Sequence, residues 1–198
     1  SYMDQREVMQ RIYNIRKSCP AKKLPNIYLI HGDLSDTEVN ELYNHPKVKA
    51  MVSATKGEGF GRPLLEFALT GKPIITTGWS GHIDFLNPKK TAMMGGKLTN
   101  VHPSAQQKDM LLAEAQWFSV DHSHLGHFLK DVKKEYSQWV LKSKSQSKTL
   151  KGTFSFQSMK SQLIKILDDN TDVPSRIEIK LPNLKPLTLP KLELPTLK

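Results

Sequence analysis

Short apolar runs alternate with amphipathic segments along the first half of the chain. Continuous apolar runs of a few residues are typical of strands that are buried on both faces of a sheet. They predict strands at 26–31, 48–54 and 72–77, and a further extended segment within 92–101. The segments between them have the period of helices, and this alternation predicts right-handed parallel β-α-β units. The expected fold is therefore α/β, with a Rossmann-like parallel sheet flanked by helices.

Local signals mark where two of these helices begin and end. Ser35 and Glu38 form a capping-box pattern, in which each side chain satisfies a backbone N–H of the other residue. Pro63 suits the first position of the next helix, and Gly71 follows that helix's predicted end. The connection at 55–62 therefore lies at the carboxyl end of a strand, where parallel α/β sheets bind their ligands.

Helical periodicity dominates the second half of the chain. After a first helix at 1–17, the pattern predicts C-terminal helices at 110–118, 125–141 and 156–167, with a polar connection at 142–151. The last of these helices has an apolar stripe suited to packing against the sheet or a neighbouring domain.

Residues 173–198 differ in composition from the rest of the chain. Five of them are proline, and seven are leucine spaced two or three residues apart. Proline at this frequency excludes a helix and interrupts any β ladder, so an extended or polyproline-like tail is expected. This tail is either a strap on an apolar groove of this chain or a partner, or a flexible linker. The expected organisation is a Rossmann-like domain at 1–172 followed by the tail at 173–198.

The formal net charge of +10 is concentrated toward the C-terminus. Residues 130–165 contain nine lysines against two acidic residues, and the tail supplies the remaining excess. The basic stretch is a solvated helix face, a patch for peripheral contact with an anionic membrane or acceptor, or a nucleic-acid site. Nucleic acid is disfavoured, because no recognisable nucleic-acid-binding module surrounds these residues.

Composition excludes several other kinds of site. Cys19 is the only cysteine, which excludes an internal disulfide and a multi-cysteine metal site. His122, His124 and His127 lie beside Asp121, but no second cluster completes a metal site and no metal is expected. No apolar run approaches the roughly 20 residues that span a bilayer, and the expected location is cytoplasmic.

The segment from Lys56 to Glu66 carries the clearest chemical signal. Glycines at 57, 59 and 61 let backbone N–H groups approach a ligand closely, and the helix start at Pro63 adds further N–H groups. Together they predict an anion site suited to phosphate or diphosphate. Phosphate would repel Glu58 and Glu66, so these carboxylates are expected to accept hydrogen bonds from hydroxyl groups, such as those of a nucleotide sugar.

These residues resemble a known family. The stretch EGFGRPLLE at 58–66 is similar to the Glu-x7-Glu signature of the retaining glycosyltransferases of group 1 type, which have the GT-B fold. HGDLS at 31–35, ALTGKPII at 68–75 and GWSG at 78–81 resemble other segments of that family's C-terminal domain, in the same order. The resemblance covers residues 26–168.

The resemblance implies that a sugar is transferred with retention from a nucleoside diphosphate sugar to an acceptor, without a metal cofactor. It implies that Glu58 is catalytic, near the transferred sugar, and that Glu66 binds the ribose hydroxyls. The other implied donor-binding residues are Gly59, Phe60, Gly61, Arg62 and Gly81.

Two features of that family have no counterpart in this chain. Its N-terminal acceptor-binding half is absent, and its Arg/Lys pair on the diphosphate matches no residue here. We therefore expect a fragment or one subunit of a split enzyme, with a separate acceptor-binding half as its partner. The alternative is a catalytically inactive GT-B-like structural or binding module that docks into a larger assembly through its Pro/Leu-rich tail.

Overall fold

The computed structural model describes residues 2–107, 110–112 and 114–170. The chain divides into two compact units, Ser1–Ser155 and Phe156–Lys198. The described part of the second unit is a helix, Phe156–Asn170, which confirms the last predicted helix. The predicted tail at 173–198 lies outside the described residues.

The first unit contains a parallel sheet whose strands lie in chain order. β1 (Met51–Ser53) pairs with β2 (Ile74–Thr77), and β2 pairs with β3 (Ala92–Met94). These strands confirm the α/β class and the strands predicted at 48–54 and 72–77, although both are shorter than predicted. The described helices are α1 (Tyr2–Ser18), α2 (Asp36–Asn44), α3 (Arg62–Leu69), α4 (His122–Lys134), α5 (Tyr136–Thr153) and α6 (Phe156–Asn170).

Helices flank both faces of the sheet, because successive side chains of β2 point to opposite sides. Ile74 belongs to a cluster with Phe67 of α3 and Leu150 of α5. Ile75 belongs to a second cluster with Val132 of α4. Every residue of β2 is buried, which explains why this strand is continuously apolar at its start and lacks charge. The result is a Rossmann-like half-domain.

Both predicted helix boundaries are confirmed. The Ser35 hydroxyl accepts a hydrogen bond from the Glu38 N–H at 3.3 Å, and the Glu38 carboxylate accepts one from the Ser35 N–H at 2.8 Å. The backbone and then the side-chain hydrogen bond from Ser35 lower the pKa of Glu38. At α3, Pro63 lies in the first turn, and Gly71 adopts φ +73° just past the helix end.

The strand predicted at 26–31 is wrong. The segment forms no ladder with the sheet, and its Tyr28 side chain is 84% exposed. Ile27 and Ile30 are exposed as well. An apolar run indicates burial only where a neighbouring strand accepts its backbone hydrogen bonds, and the described part of the chain places none beside it.

The helix predicted at 110–118 is also wrong. Its C-terminal part belongs to β5 (Gln116–Val120), which pairs antiparallel with β4 (Gly96–Asn100). β4 and β3 together account for the extended segment predicted within 92–101. The aromatic residues Trp117 and Phe118 can be accommodated in a strand as well as on a helix face. Hydrophobic periodicity alone therefore predicted a helix where the chain forms a strand.

The polar connection predicted at 142–151 lies inside α5, and the helix predicted at 125–141 is divided between α4 and α5. Three polar residues of this stretch, Ser143, Gln146 and Ser147, are buried and have hydrogen-bond partners. Gln146 accepts hydrogen bonds from the Asn87 N–H at 2.7 Å and the Thr91 hydroxyl at 3.2 Å. The Ser147 hydroxyl donates to the Leu69 carbonyl at 2.8 Å. Among the described helices, none is long and apolar enough to cross a membrane.

Candidate functional site

Three connections meet at the carboxyl edge of the parallel sheet. They are the loop at 54–61 after β1, the turn at 78–80 after β2, and Gly95 after β3. The Gly78 N–H donates to the Met94 carbonyl at 2.9 Å, which joins the second connection to the end of β3. The Phe118 N–H donates to the Lys56 carbonyl at 3.1 Å, so the β4–β5 ribbon borders the first loop. This edge is where parallel α/β sheets bind their ligands.

Ser80 fastens the loop at 54–61 to the turn after β2. Its hydroxyl donates to the Glu58 carbonyl at 2.5 Å and accepts from the Glu58 N–H at 2.8 Å. Ser80 has φ +81° and ψ −172°, a conformation that is otherwise almost confined to glycine and costs about 1–3 kcal/mol. The paired hydrogen bonds to Glu58 hold this strained residue in place.

Gly81 lets the same two segments touch. A Cβ at residue 81 would lie 2.0 Å from the Gly59 carbonyl oxygen and 3.0 Å from the Glu58 carbonyl oxygen. The Gly81 N–H donates to the Glu58 carbonyl at 3.1 Å. No side chain fits here, because the atoms it would meet belong to backbone that cannot rotate away.

Gly61 is the N-cap of α3, with φ +86°, and it makes no side-chain cap. Its carbonyl accepts hydrogen bonds from the N–H groups of Leu64 and Leu65, at 2.9 and 3.1 Å. Pro63 has no N–H, and Leu64 and Leu65 donate to Gly61, so the Arg62 N–H is the first-turn donor left for a ligand at the positive end of the helix. The structure therefore brings Glu58, Gly59, Gly61 and Gly81 together beside a helix terminus that suits an anion.

Glu66 lines a neighbouring cleft, on the side of α2. This cleft has a volume of about 290 Å³ and is lined by Asp36, Val39, Asn40, Tyr43, Arg62 and Glu66. The Glu66 carboxylate accepts from the Arg62 Nε at 3.0 Å, and the two side chains are 40% and 79% exposed. Burial, followed by the nearby charge of Glu66, raises the pKa of Tyr43.

The Phe60 side chain fixes the loop by hydrophobic packing. Its ring packs on Phe85 at 5.0 Å and on Phe154 at 5.9 Å between ring centres. The loop is thus held on one side by hydrogen bonds from Ser80 and Gly81, and on the other by aromatic packing.

Sequence reasoning did not assign a role to several residues at this edge. The His82 Nε2 lies 2.6 Å from the Thr77 carbonyl, which can only accept, so Nε2 carries the hydrogen. Both residues are fully buried, and among the described groups the His82 Nδ1 and the Thr77 hydroxyl have no hydrogen-bond partner. The sequence feature that could have indicated a role for His82 is its position directly after the glycine turn.

Two aromatic contacts border the site. Trp79 stacks on Phe118 with ring centres 6.1 Å apart, and the Lys56 ammonium lies 3.0 Å from the centre of the Trp117 ring. Lys56 belongs to the glycine-rich segment, and its ammonium is engaged in this cation–π contact.

Of the histidines at 122, 124 and 127, two make contacts within the fold. The His124 Nδ1 accepts from the Gly95 N–H at 3.0 Å, and the His127 ring packs on Phe128. Over the described ranges 2–107, 110–112 and 114–170, no three His, Cys, Asp or Glu side chains gather as metal ligands.

The class of protein that these observations define is an α/β domain with a glycine-rich loop fastened at the carboxyl edge of its parallel sheet. Comparison of the chain with protein-family models and with curated proteins gives no match.

Proposed function

We propose that this chain is the nucleotide-sugar-binding part of a retaining glycosyltransferase. The observation that carries the proposal is the loop of Glu58–Gly61, held against Gly81 beside the uncapped start of α3. Backbone N–H groups at such a terminus bind phosphate without a cationic side chain. The diphosphate of a nucleotide sugar is the ligand whose phosphates would lie there, and its departure is favoured by the same dipoles.

The two carboxylates serve opposite ends of this donor. Glu66 lies in the cleft beside α2, whose 290 Å³ is close to the lower end of small-molecule sites, about 300–1,000 Å³. There it accepts hydrogen bonds from the ribose hydroxyls. Glu58 belongs to the loop whose backbone bonds to Ser80 and Gly81, and the proposal places the transferred sugar beside its carboxylate.

Arg62 is the cation closest in sequence to the proposed diphosphate site. It is held by Glu66 in a largely exposed ion pair, of a kind that contributes at most about 1 kcal/mol. Donor binding can therefore redirect the guanidinium toward phosphate at little cost. The proposal includes no metal cofactor, and oriented N–H groups and Arg62 supply the positive potential.

The proposal also includes an acceptor and a separate acceptor-binding half as partners. It places the reaction in the cytoplasm.

Calorimetric titration of the full chain with uridine, guanosine and adenosine diphosphates, and with their sugars, tests the proposal. We expect one base to bind and Glu66→Gln to weaken that binding by about tenfold or more, because charge-assisted hydrogen bonds to hydroxyls are lost. The matched control is Glu135→Gln, which removes another exposed acid that is paired with a lysine at 3.3 Å.

A second readout shows whether the Glu66 substitution acts locally. Removing the charge of Glu66 should lower the pKa of Tyr43, while burial continues to raise it. This is measured by NMR titration of tyrosine-labelled protein. If no nucleotide binds, or if Glu66→Gln and Glu135→Gln weaken binding equally, the assignment of the donor site is wrong.

A further inference from the structure

Helix α5 has an unusual charge distribution. Its 18 residues include four lysines and no acidic residue. One face is buried through Trp139, Gln146 and Leu150, so the lysines are confined to the remaining surface. A helix with one basic face and one packed face presents a fixed positive surface to its surroundings.

The outermost ridge of α5 combines lysines with an exposed leucine. At 100° per residue, Leu141 and Lys148 lie opposite the buried face, and Lys144 and Lys151 lie beside them. The Leu141 side chain is 64% exposed. These four residues, Leu141, Lys144, Lys148 and Lys151, are called the α5 ridge below.

The lysines of the α5 ridge share a cleft that contains no acidic group. Lys144, Lys148 and Lys151 line a cleft of about 430 Å³ together with Thr70, Gly71 and Ser147. The Thr70 and Ser147 hydroxyls donate to backbone carbonyls of α3. Like charges one turn apart on a helix repel each other, so this cleft favours an anionic partner.

Other lysines nearby already have partners. Lys134 pairs with Glu135 at 3.3 Å, Lys142 lies 4.4 Å from the centre of the Trp139 ring, and Lys90 donates to Ser145 at 3.0 Å. Within the described part of the chain, no ion pair involves a lysine of the α5 ridge. Within the basic stretch, Lys134 and Lys142 thus have partners, whereas the three lysines of the α5 ridge face solvent together.

We propose that the α5 ridge binds the surface of a bilayer that contains anionic phospholipids. The lysines contact headgroup phosphates, and Leu141 enters the boundary between headgroups and acyl chains. Leu141 offers a nucleic acid no hydrogen bond or stacking surface, and of the aromatic residues of this helix Trp139 is buried and Tyr136 packs against the core. This inference uses none of the residues assigned to donor binding.

Co-sedimentation of the full chain with vesicles tests the inference. One set of vesicles contains equal parts of phosphatidylcholine and phosphatidylglycerol, and the other contains phosphatidylcholine alone. We expect binding to the first set only, weakening as salt is added. Each lysine near an anionic surface strengthens binding about fivefold, so Lys144→Glu/Lys148→Glu/Lys151→Glu should weaken binding by about a hundredfold or more.

The matched control makes the same change in net charge on another exposed surface. Lys17→Glu/Lys22→Glu/Lys23→Glu substitutes exposed lysines in and just after α1 and should weaken binding far less. Leu141→Ser should reduce the binding that persists at high salt. Circular dichroism checks folding, and the corresponding Lys→Gln triple variant replaces the Lys→Glu variant if the latter does not fold.

Three outcomes would overturn the inference. The first is that the wild-type chain binds both kinds of vesicle equally. The second is that the ridge and control variants lose the same amount of vesicle affinity, and the third is that the ridge variant binds vesicles as tightly as the wild type. Binding of a short DNA duplex is measured in parallel. Loss of duplex binding in the ridge variant, with vesicle binding retained, would assign the ridge to nucleic acid instead.

Discussion

Substituting Gly81 with alanine tests the geometry on which the candidate site depends. The new Cβ would lie 2.0 Å from the Gly59 oxygen and 2.7 Å from its carbonyl carbon, well inside any normal contact distance. Both atoms are backbone, so relief requires the loop at 57–61 to move away from the turn. Overpacking of this kind costs about 1–3 kcal/mol, and loss of the Gly81–Glu58 hydrogen bond adds about 1 kcal/mol.

We therefore expect Gly81→Ala to lower the free energy of unfolding by about 2–4 kcal/mol in urea titrations followed by circular dichroism. Affinity for the nucleoside diphosphate should fall with it, because the loop amides leave the start of α3. Gly59→Ala is the matched control, since a Cβ at residue 59 meets no atom within 4 Å. If Gly81→Ala unfolds at the same urea concentration as Gly59→Ala, the described contact between the two segments is wrong.

Three further predictions concern other parts of the first unit. Ser80→Ala removes both hydrogen bonds to Glu58 but keeps the strained backbone, so it should lower the free energy of unfolding in urea by about 2 kcal/mol. Ser80→Gly relieves the strain and should recover about half or more of this loss, and a glycine variant less stable than the alanine variant would refute the strain argument. Gln146→Leu removes the acceptor of the part-buried Asn87 N–H and the partner of the buried Thr91 hydroxyl, so it should cost about 2 kcal/mol by the same assay, whereas an unchanged midpoint would contradict these bonds. Hydrogen bonds lower the pKa of Glu38 in the folded state, so its stabilisation is present above its unfolded value of 4.5 and is lost as pH falls through the folded pKa. The difference in thermal midpoint between wild type and Glu38→Gln should therefore shrink from about pH 7 to about pH 3, and a constant difference would exclude this linkage.

Local rules predicted the parts of the structure that local interactions decide. The capping box of Ser35 and Glu38 and the positions of Pro63 and Gly71 were confirmed, because each rests on contacts within one helical turn. β2 was recognised because both of its faces are buried, which leaves an apolar run in the sequence, and β1 has a recognisable apolar run although its Val52 side chain is exposed.

Predictions failed where the outcome depends on a distant partner. The apolar run at 26–31 resembled a strand but pairs with none, and the aromatic residues of β5 adopt a ladder because β4 lies beside them. The polar stretch of α5 can pack against the core because its buried Gln146 and Ser147 find hydrogen-bond partners more than fifty residues away in the chain. Hydrophobic periodicity contains no information about such partners.

The candidate site shows the same division. By itself, the sequence determined that glycines, two carboxylates and a helix start follow an apolar run, and hence the segment in which we expect a ligand to bind. Only the tertiary structure decided that Ser80 and Gly81 hold the loop, that Glu66 faces a cleft beside α2, and that His82 is buried beneath. The physical reason is that glycine spacing and helix capping are local, whereas the approach of one backbone to another depends on how the parallel strands align their ends.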